Sequence, residues 1–104
     1  MGKRKPHYPL SRIKALIRQG AYRITRTALR TAARDFGSIE PRETAECVLG
    51  LDTKDFCKSM TTHHDATIWQ NVYRPTVRGA SAYVKVQIVD DATIVISFRS
   101  PEGD

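Results

Sequence analysis

The chain has 104 residues, a length typical of one domain with a single hydrophobic core, and we expect one domain over residues 1–104. Its 40% hydrophobic and 27% charged residues exclude a wholly disordered chain and a fibrous repeat. Seventeen Lys and Arg against eleven Asp and Glu give a formal net charge of +6, which favours a polyanionic partner such as nucleic acid or an acidic protein, with solubility alone as the other explanation.

The first half of the chain has the periodicity of helices. Ser11 can cap a helix over residues 12–19, after which Gly20 offers a left-handed stop. Thr25 can cap a second helix, and Pro41 at a first helical position begins a third. The apolar stripe of the second helix consists of Ala28, Leu29, Ala32, Ala33 and Phe36.

The other face of the second helix carries Arg26, Arg30 and Arg34, spaced four residues apart. Like charges at this spacing cost a few tenths of a kcal/mol per pair, roughly, unless an anion relieves them. A solvated basic face and a face that contacts phosphate both fit this pattern.

From Phe56 onward the pattern changes to short β-rich runs separated by turn residues. The predicted strands cover residues 57–62, 67–74, 80–89 and 93–99. Strands this close in sequence are most economically joined as an antiparallel meander. We therefore predict an α+β fold, with helices in the first half of the chain and strands in the second.

Alternation in the last two strands predicts which side chains leave the core. The expected core set is Ala82, Val84, Val86 and Ile88 in one strand, with Ile94, Ile96 and Phe98 in the other. Tyr83 and Lys85 then point to the opposite face, and Arg99 joins them if the two strands pair. The sequence predicts a half-open, cationic sheet face.

Residues 56–75 concentrate polar and aromatic groups, among them the only tryptophan. Trp69 fits the edge of the core better than a base-stacking platform, because a lone tryptophan in a small domain is usually buried. His63, His64 and Asp65 suggest a metal site, but adjacent strand residues point apart and no third imidazole lies nearby. Cys47 and Cys57 lack zinc spacing, so we predict free thiols and no metal. We expect neither secretion nor membrane insertion, since no window approaches eighteen apolar residues.

Three segments resemble the MqsR family, the mRNA interferase toxins of bacterial toxin–antitoxin pairs. They read KRKPHYPLSRIKALI, DFCKSMTTHHDATIWQNVYRP and AYVKVQIVDDATIVISFR. The resemblance covers nearly the whole chain and is weakest over residues 31–46. It implies a RelE-like fold in which N-terminal helices pack on a twisted, mainly antiparallel sheet.

The resemblance also implies a function. Members cleave single-stranded mRNA at short GC-containing sites of the GCU type, without a cofactor, in the cytoplasm. A cognate antitoxin of the MqsA type, with a zinc-binding part and a helix-turn-helix, inhibits them, and they meet DNA only through that antitoxin.

Position by position, the family's proposed catalytic lysine, glutamine and tyrosine fall on Lys58, Gln70 and Tyr83. Its C-terminal basic residue, a lysine, falls on Arg99. Arginine keeps the charge but stays protonated, so Arg99 can stabilise phosphate but cannot act as acid or base. This chain also has Cys57 where members commonly have tyrosine.

Candidate RNA contacts outside this set are Lys85, Arg74 and His64, the last also a candidate acid–base helper. The His63–His64 pair departs from the family pattern.

Metal-free RNA cleavage uses the substrate's own 2′-hydroxyl as nucleophile. The protein must orient that hydroxyl, neutralise the phosphorane and manage two protons. Lysine and arginine supply charge, tyrosine a proton or hydrogen bond, and glutamine only orientation. The alternative is a non-catalytic RNA-binding or antitoxin-binding module with the same fold, which the departures at Arg99 and Cys57 would fit.

Overall fold

The computed structural model describes residues 2–37 and 39–101 of the chain, so the outermost residues of the predicted domain lie outside it. The helices are α1 (Leu10–Arg18), α2 (Arg26–Phe36) and α3 (Pro41–Leu49), followed by a 3-10 turn over Thr53–Asp55. The strands are β1 (Gly2–Lys3), β2 (Tyr22–Ile24), β3 (Phe56–Thr61), β4 (Trp69–Tyr73), β5 (Thr76–Val77), β6 (Ala80–Ser81), β7 (Tyr83–Val89) and β8 (Ala92–Arg99). The predicted α+β fold is confirmed.

Helix α1 begins earlier than predicted, and the predicted cap at Ser11 is wrong. Pro9 occupies the N-cap position, and its carbonyl accepts the N–H of Arg12 at 3.0 Å. The earlier start lets Leu10 pack against the core, a gain that outweighs the missing side-chain cap. Gly20 follows the helix with φ of +80°, as predicted for a left-handed stop.

Helix α2 has the predicted cap, since Thr25 Oγ1 accepts the N–H of Ala28 at 3.1 Å. Its buried stripe is narrower than predicted, because Ala33 is exposed and Leu29 is only half-buried. Ala28, Ala32 and Phe36 are the buried residues of this helix. Helix α3 starts at Pro41 as predicted. No helix among residues 2–37 and 39–101 is long and apolar enough to cross a bilayer.

Six strands form one sheet in the order β1-β3-β4-β7-β8-β2. The predicted meander is confirmed, since β3, β4, β7 and β8 pair consecutively and antiparallel. Strand β2 runs parallel to β8 and was not predicted, because three residues between two helices are too few to show alternation. The predicted strand over residues 80–89 divides into β6 and β7, and β6 pairs with β5 in a small separate hairpin.

The core lies between the helices and one face of this sheet. Side chains of β4, β7 and β8 pack there against α1, α2 and α3, and Phe36 contacts Phe98 edge-on with ring centroids 5.7 Å apart. Val84, Val86, Val95 and Phe98 have no solvent exposure. Burial of this kind contributes roughly 25 cal/mol per Å² of apolar surface, so this face anchors the fold and the other one is available for function.

Candidate active site on the open face of the sheet

Opposed residues of an antiparallel ladder project to the same face of a sheet. One row of opposed residues crosses four strands, and we call it the lysine row: Lys58, Val72, Lys85 and Ser97. Val86, the neighbour of Lys85 in β7, belongs to the core cluster that includes helix residues. The lysine row therefore faces away from the helices, on what we call the open face. Two strand spacings of about 4.8 Å separate the backbones of Lys58 and Lys85 by about 10 Å.

Tyr83 and Arg99 lie opposite each other on the open face, as the sequence predicts, two residues along β7 and β8 from Lys85 and Ser97. The Arg99 guanidinium carbon is 4.2 Å from the centroid of the Tyr83 ring. The Lys85 ammonium nitrogen is 5.8 Å from the same centroid. Two cations thus contact one phenol ring, an arrangement in which the ring quadrupole attracts both charges.

Gln70 and Gln87 form a second row, the amide row, beyond the lysine row. Gln70 lies opposite Met60, and its Nε2 donates to Oε1 of Gln87 at 2.9 Å. Gln70 is only 7% exposed although it is on the open face. A glutamine this restricted holds a fixed orientation, which suits the orienting role that the sequence predicts for it.

Two β-bulges aim the site residues. In β3, Phe56 lies opposite Tyr73 and Lys58 opposite Val72, so Cys57 is the extra residue. Phe56 therefore packs into the core, 5.6 Å from the Tyr73 ring, while Lys58 reaches the open face. Without the bulge, alternation would put residues 56 and 58 on the same face.

The second bulge lies in β8, where Ile96 is the extra residue between the pairs Lys85–Ser97 and Val86–Val95. For this reason the predicted core set of β8 is confirmed at Phe98 but is wrong at Ile96, which is only half-buried, and wrong about the face of the buried Ile94. Phe98 and Val95 face the helices, whereas Ile94 lies opposite Gln87 on the open face.

The structure brings all four predicted catalytic residues to the open face. Lys58 is exposed, Tyr83 and Arg99 are half-buried, and Gln70 is buried. Each comes from a different strand, which explains why no single segment of the sequence contains the set.

The predicted RNA contacts lie at different ends of this face. Arg74 follows β4, is exposed, and lines a shallow pocket with Ser81 and Ser100 near the Tyr83–Arg99 end. His64 is exposed in the turn between β3 and β4, beyond the amide row. The structure therefore does not bring His64 to Tyr83 and Arg99.

The chain is similar to known proteins over nearly its whole length. Residues 5–100 match the family described as "Motility quorum-sensing regulator, toxin of MqsA". The chain is also 40% identical over 99 residues to the mRNA interferase toxin MqsR of Escherichia coli strain K12, covering 95% of this chain and 98% of that protein.

The chain belongs to the MqsR toxin family. Its relative is named an mRNA interferase, which is an endoribonuclease. In this family member, the open face carries the residues that the resemblance singled out.

The environment of Arg99 is set by a carboxylate that the sequence analysis did not select. Asp35 accepts the N–H of Ser100 at 2.8 Å and two bonds from Arg34 at 2.7 and 2.9 Å. These contacts, the Arg34 hydrogen bond first, lower the Asp35 pKa to about 2. Asp35 therefore joins α2 to the end of β8 beside Arg99. It also neutralises Arg34, and all three arginines of this helix face, Arg26, Arg30 and Arg34, are exposed.

Trp69 lies away from the catalytic candidates, half-buried at the edge of the core as predicted. Its ring stacks on the His7 imidazole with centroids 5.1 Å apart, and the Lys3 ammonium lies 4.2 Å from its centroid. Partial burial, followed by the Lys3 charge, lowers the pKa of His7. Lys3 Nζ is also 3.2 Å from His7 Nδ1, so the N-terminal segment covers one face of the Trp69 ring with both side chains.

Gln87 is an open-face residue that was not among the predicted site residues. Alternation in residues 80–89 puts Gln87 on the same face as Tyr83, which was the available signal. Its hydrogen bond to Gln70 depends on the pairing of β4 with β7, and no local pattern reveals that.

Proposed function

We propose that this member of the MqsR family is a toxin that cleaves single-stranded mRNA with the RNA 2′-hydroxyl as nucleophile. The observation that carries the proposal is the position of the lysine row beside the Tyr83–Arg99 pair on one open face. The domain defined by the helices and the sheet is the toxin domain, and it acts where mRNA is found, in the cytoplasm.

Cleavage by this route puts developing negative charge on the phosphorane. Lys58, Lys85 and Arg99 approach the open face from three strands and stabilise that charge as hydrogen-bonding cations. Removal of one well-placed donor to a developing oxyanion costs roughly 3 to 4 kcal/mol, a hundredfold to a thousandfold in rate.

Tyr83 is the proton donor or hydrogen-bond donor at the scissile phosphate, held against Arg99 and Lys85. Gln70 orients the nucleotide, because an amide does not titrate. The 2′-hydroxyl loses its proton to solvent and forms a bond to phosphorus, the bond from phosphorus to the 5′-oxygen breaks, and the expelled 5′-oxygen takes up a proton on the side of Tyr83. The products are a 2′,3′-cyclic phosphate and a 5′-hydroxyl.

This chemistry needs no metal-bound water, so cleavage proceeds without a metal or other cofactor. The proposal includes specificity for short GC-containing sites of the GCU type and inhibition by a cognate zinc-binding, helix-turn-helix antitoxin, and the resemblance to the family supports both. Arg74 and His64 contact the RNA on either side of the reacting nucleotide. Contact with DNA occurs only through the antitoxin.

The test is to map the ends that the purified protein produces on a long transcript in the presence of a chelator. We expect cuts at GC-containing triplets, with cyclic phosphate on one product and a 5′-hydroxyl on the other. A cut transcript with 5′-phosphate ends would contradict the 2′-hydroxyl mechanism. An intact transcript that the protein nevertheless binds would favour the non-catalytic module that the Arg99 and Cys57 departures suggest.

A further inference from the structure

The amide row has the composition of a site for a nucleobase. Gln70 and Gln87 lie between two apolar side chains, since Met60 is opposite Gln70 and Ile94 is opposite Gln87. Val72, two residues along β4 from Gln70, is fully buried on the side of the lysine row. Ile94 is buried as well, so these two aliphatic side chains have almost no surface to offer a ligand. The amides offer hydrogen bonds to the edge of a base, and the half-buried Met60 thioether beside them offers apolar contact to its face.

The hydrogen bond between the two amides fixes what they offer to a ligand. Because one amide donates to the other, the pair presents one acceptor and one donor outward, and never two of the same kind. Within residues 2–37 and 39–101, neither the second atom of the Gln70 amide nor that of the Gln87 amide has a protein partner. In the part of the chain that the structure describes, every fully buried side-chain nitrogen or oxygen has a hydrogen-bond partner. These two amide atoms have none, so they must be in contact with solvent.

The position of the amide row relative to the lysine row fits one nucleotide. Two residues along a strand separate the rows by about 7 Å. Lysines recognise phosphate, whereas bidentate contacts from Asn or Gln side chains recognise base edges. A strand of RNA whose phosphate contacts Lys58 and Lys85 can therefore place its base on the amides.

We propose that Gln87, together with Gln70, reads one base next to the scissile phosphate, and that Gln87 is a specificity-determining residue. This inference rests on the proposed function, because it requires that the open face binds RNA. The lysine row positions the phosphate, which sets where the base meets the amide pair. The base is then selected by whether the order of donors and acceptors on its edge matches that of the two amides.

The test measures binding, so that it does not depend on cleavage. The probe is a pool of single-stranded RNA oligonucleotides with three randomised positions that carry 2′-deoxy sugars, which removes the nucleophile. Bound sequences are counted for the wild type and for Gln87→Met, which keeps the length of the side chain and removes its hydrogen bonds. Gln19→Met is the matched control, because Gln19 is an exposed glutamine at the end of α1, outside the sheet.

We expect the wild type and Gln19→Met to enrich one base at one position, and Gln87→Met to lose about tenfold of that enrichment. Gln87→Glu can still accept from Gln70 but presents two acceptors outward, so we expect its enrichment to move toward guanine, whose Watson–Crick edge has two adjacent donors. The inference is overturned if the wild type enriches no base, or if both Gln87 variants keep the wild-type profile. Failure of the wild type to cut unsubstituted RNA would instead overturn the proposed function.

Discussion

Arg99 differs from a lysine at the same place in geometry more than in charge. Its planar guanidinium lies 4.2 Å from the Tyr83 ring centroid, a contact that a lysine ammonium makes with less surface. The guanidinium therefore holds the phenol, and in the proposed function it also contributes charge to the phosphate. Because an arginine at this position stays protonated, Tyr83 is the member of the Tyr83–Arg99 pair that can donate a proton.

Replacement of Arg99 tests this assignment. We expect Arg99→Ala to cleave RNA about a hundredfold more slowly, because a charge on the phosphorane is lost together with the contact to Tyr83. Arg99→Lys restores the charge and should remain within about tenfold of the wild type. Initial cleavage rates on one defined RNA are the measurement, with Arg42→Ala in exposed α3 as the matched control. Equal rates for Arg99→Ala and the control would contradict the role.

Asp35 makes the stability of the β8 end depend on pH. Its pKa of about 2 lies below the usual value near 3.9 of an unfolded chain. The carboxylate therefore contributes stability above about pH 4, and that contribution is lost as pH falls through about 2.

We expect Asp35→Asn to lower the free energy of unfolding at pH 7 by about 1 to 2 kcal/mol, since charge-assisted hydrogen bonds to Arg34 and Ser100 are weakened. The difference from the wild type should shrink between pH 4 and pH 2. Urea denaturation across this range is the measurement. Asp91→Asn is the control, because that carboxylate is 87% exposed in its ion pair with Arg12 and should matter little. A pH-independent difference for Asp35→Asn would contradict the explanation.

At the scale of elements, Thr25 both caps α2 and forms a hydrogen bond to the bulge of β8. The Thr25 hydroxyl accepts the Ala28 N–H and donates to the carbonyl of Ile96, the extra residue of the bulge, at 3.1 Å. This bulge decides that Phe98 enters the core while Ser97 and Arg99 face outward. One side chain thus connects a helix start to the orientation of the candidate site.

We expect Thr25→Ala to destabilise the protein by about 1 to 2 kcal/mol, because the helix cap and the bond to the bulge are both lost. Thr25→Ser keeps the hydroxyl and should recover most of this loss. Thr27→Ala, an exposed change in the same helix turn, is the control. Thermal unfolding measures all three, and equal melting temperatures for Thr25→Ala and Thr27→Ala would contradict the assignment.

The elements that the sequence predicted are those with a strong local signal. Thr25 as a cap, Pro41 as a helix start and the alternation of β7 are local features, and the structure confirms them. The short β2 depends on pairing with β8, and β1 on pairing with β3, so no local pattern announces them. The bulge at Ile96 also shifts alternation by one residue, so alternation placed Phe98 correctly but not Ile94 and Ile96.

The candidate site was predictable to the same extent. The faces of Tyr83 and Lys85 follow from alternation alone, whereas the opposition of Tyr83 to Arg99 required the strands to pair as they do. The bond between Gln70 and Gln87 joins residues 17 apart in sequence, and the contact of Asp35 with Ser100 joins residues 65 apart. Contacts of this range depend on the assembled sheet, so periodicity could not indicate them.

At the scale of the whole molecule, one sheet separates two tasks. Its helix-facing side holds the apolar core, and its open face collects cations from strands that are distant in sequence. The N-terminal segment covers part of the helix-facing side: Asn71 of the central strand β4 is fully buried, and its Oδ1 accepts the N–H groups of His7 and Tyr8. A rigid scaffold of this kind can hold charged side chains in place before RNA arrives, which is what electrostatic stabilisation of a transition state requires.

The central claim is that Lys58 and Tyr83 act on the scissile phosphate from the open face. The most direct measurement compares cleavage of one defined mRNA by the wild type, Lys58→Ala, Tyr83→Phe and the control Lys54→Ala, whose exposed lysine lies in the 3-10 turn outside the sheet. We predict that both open-face variants cleave the RNA at least about a hundredfold more slowly than the wild type, while the control cleaves it as fast as the wild type. Wild-type rates for Lys58→Ala and Tyr83→Phe would contradict the account.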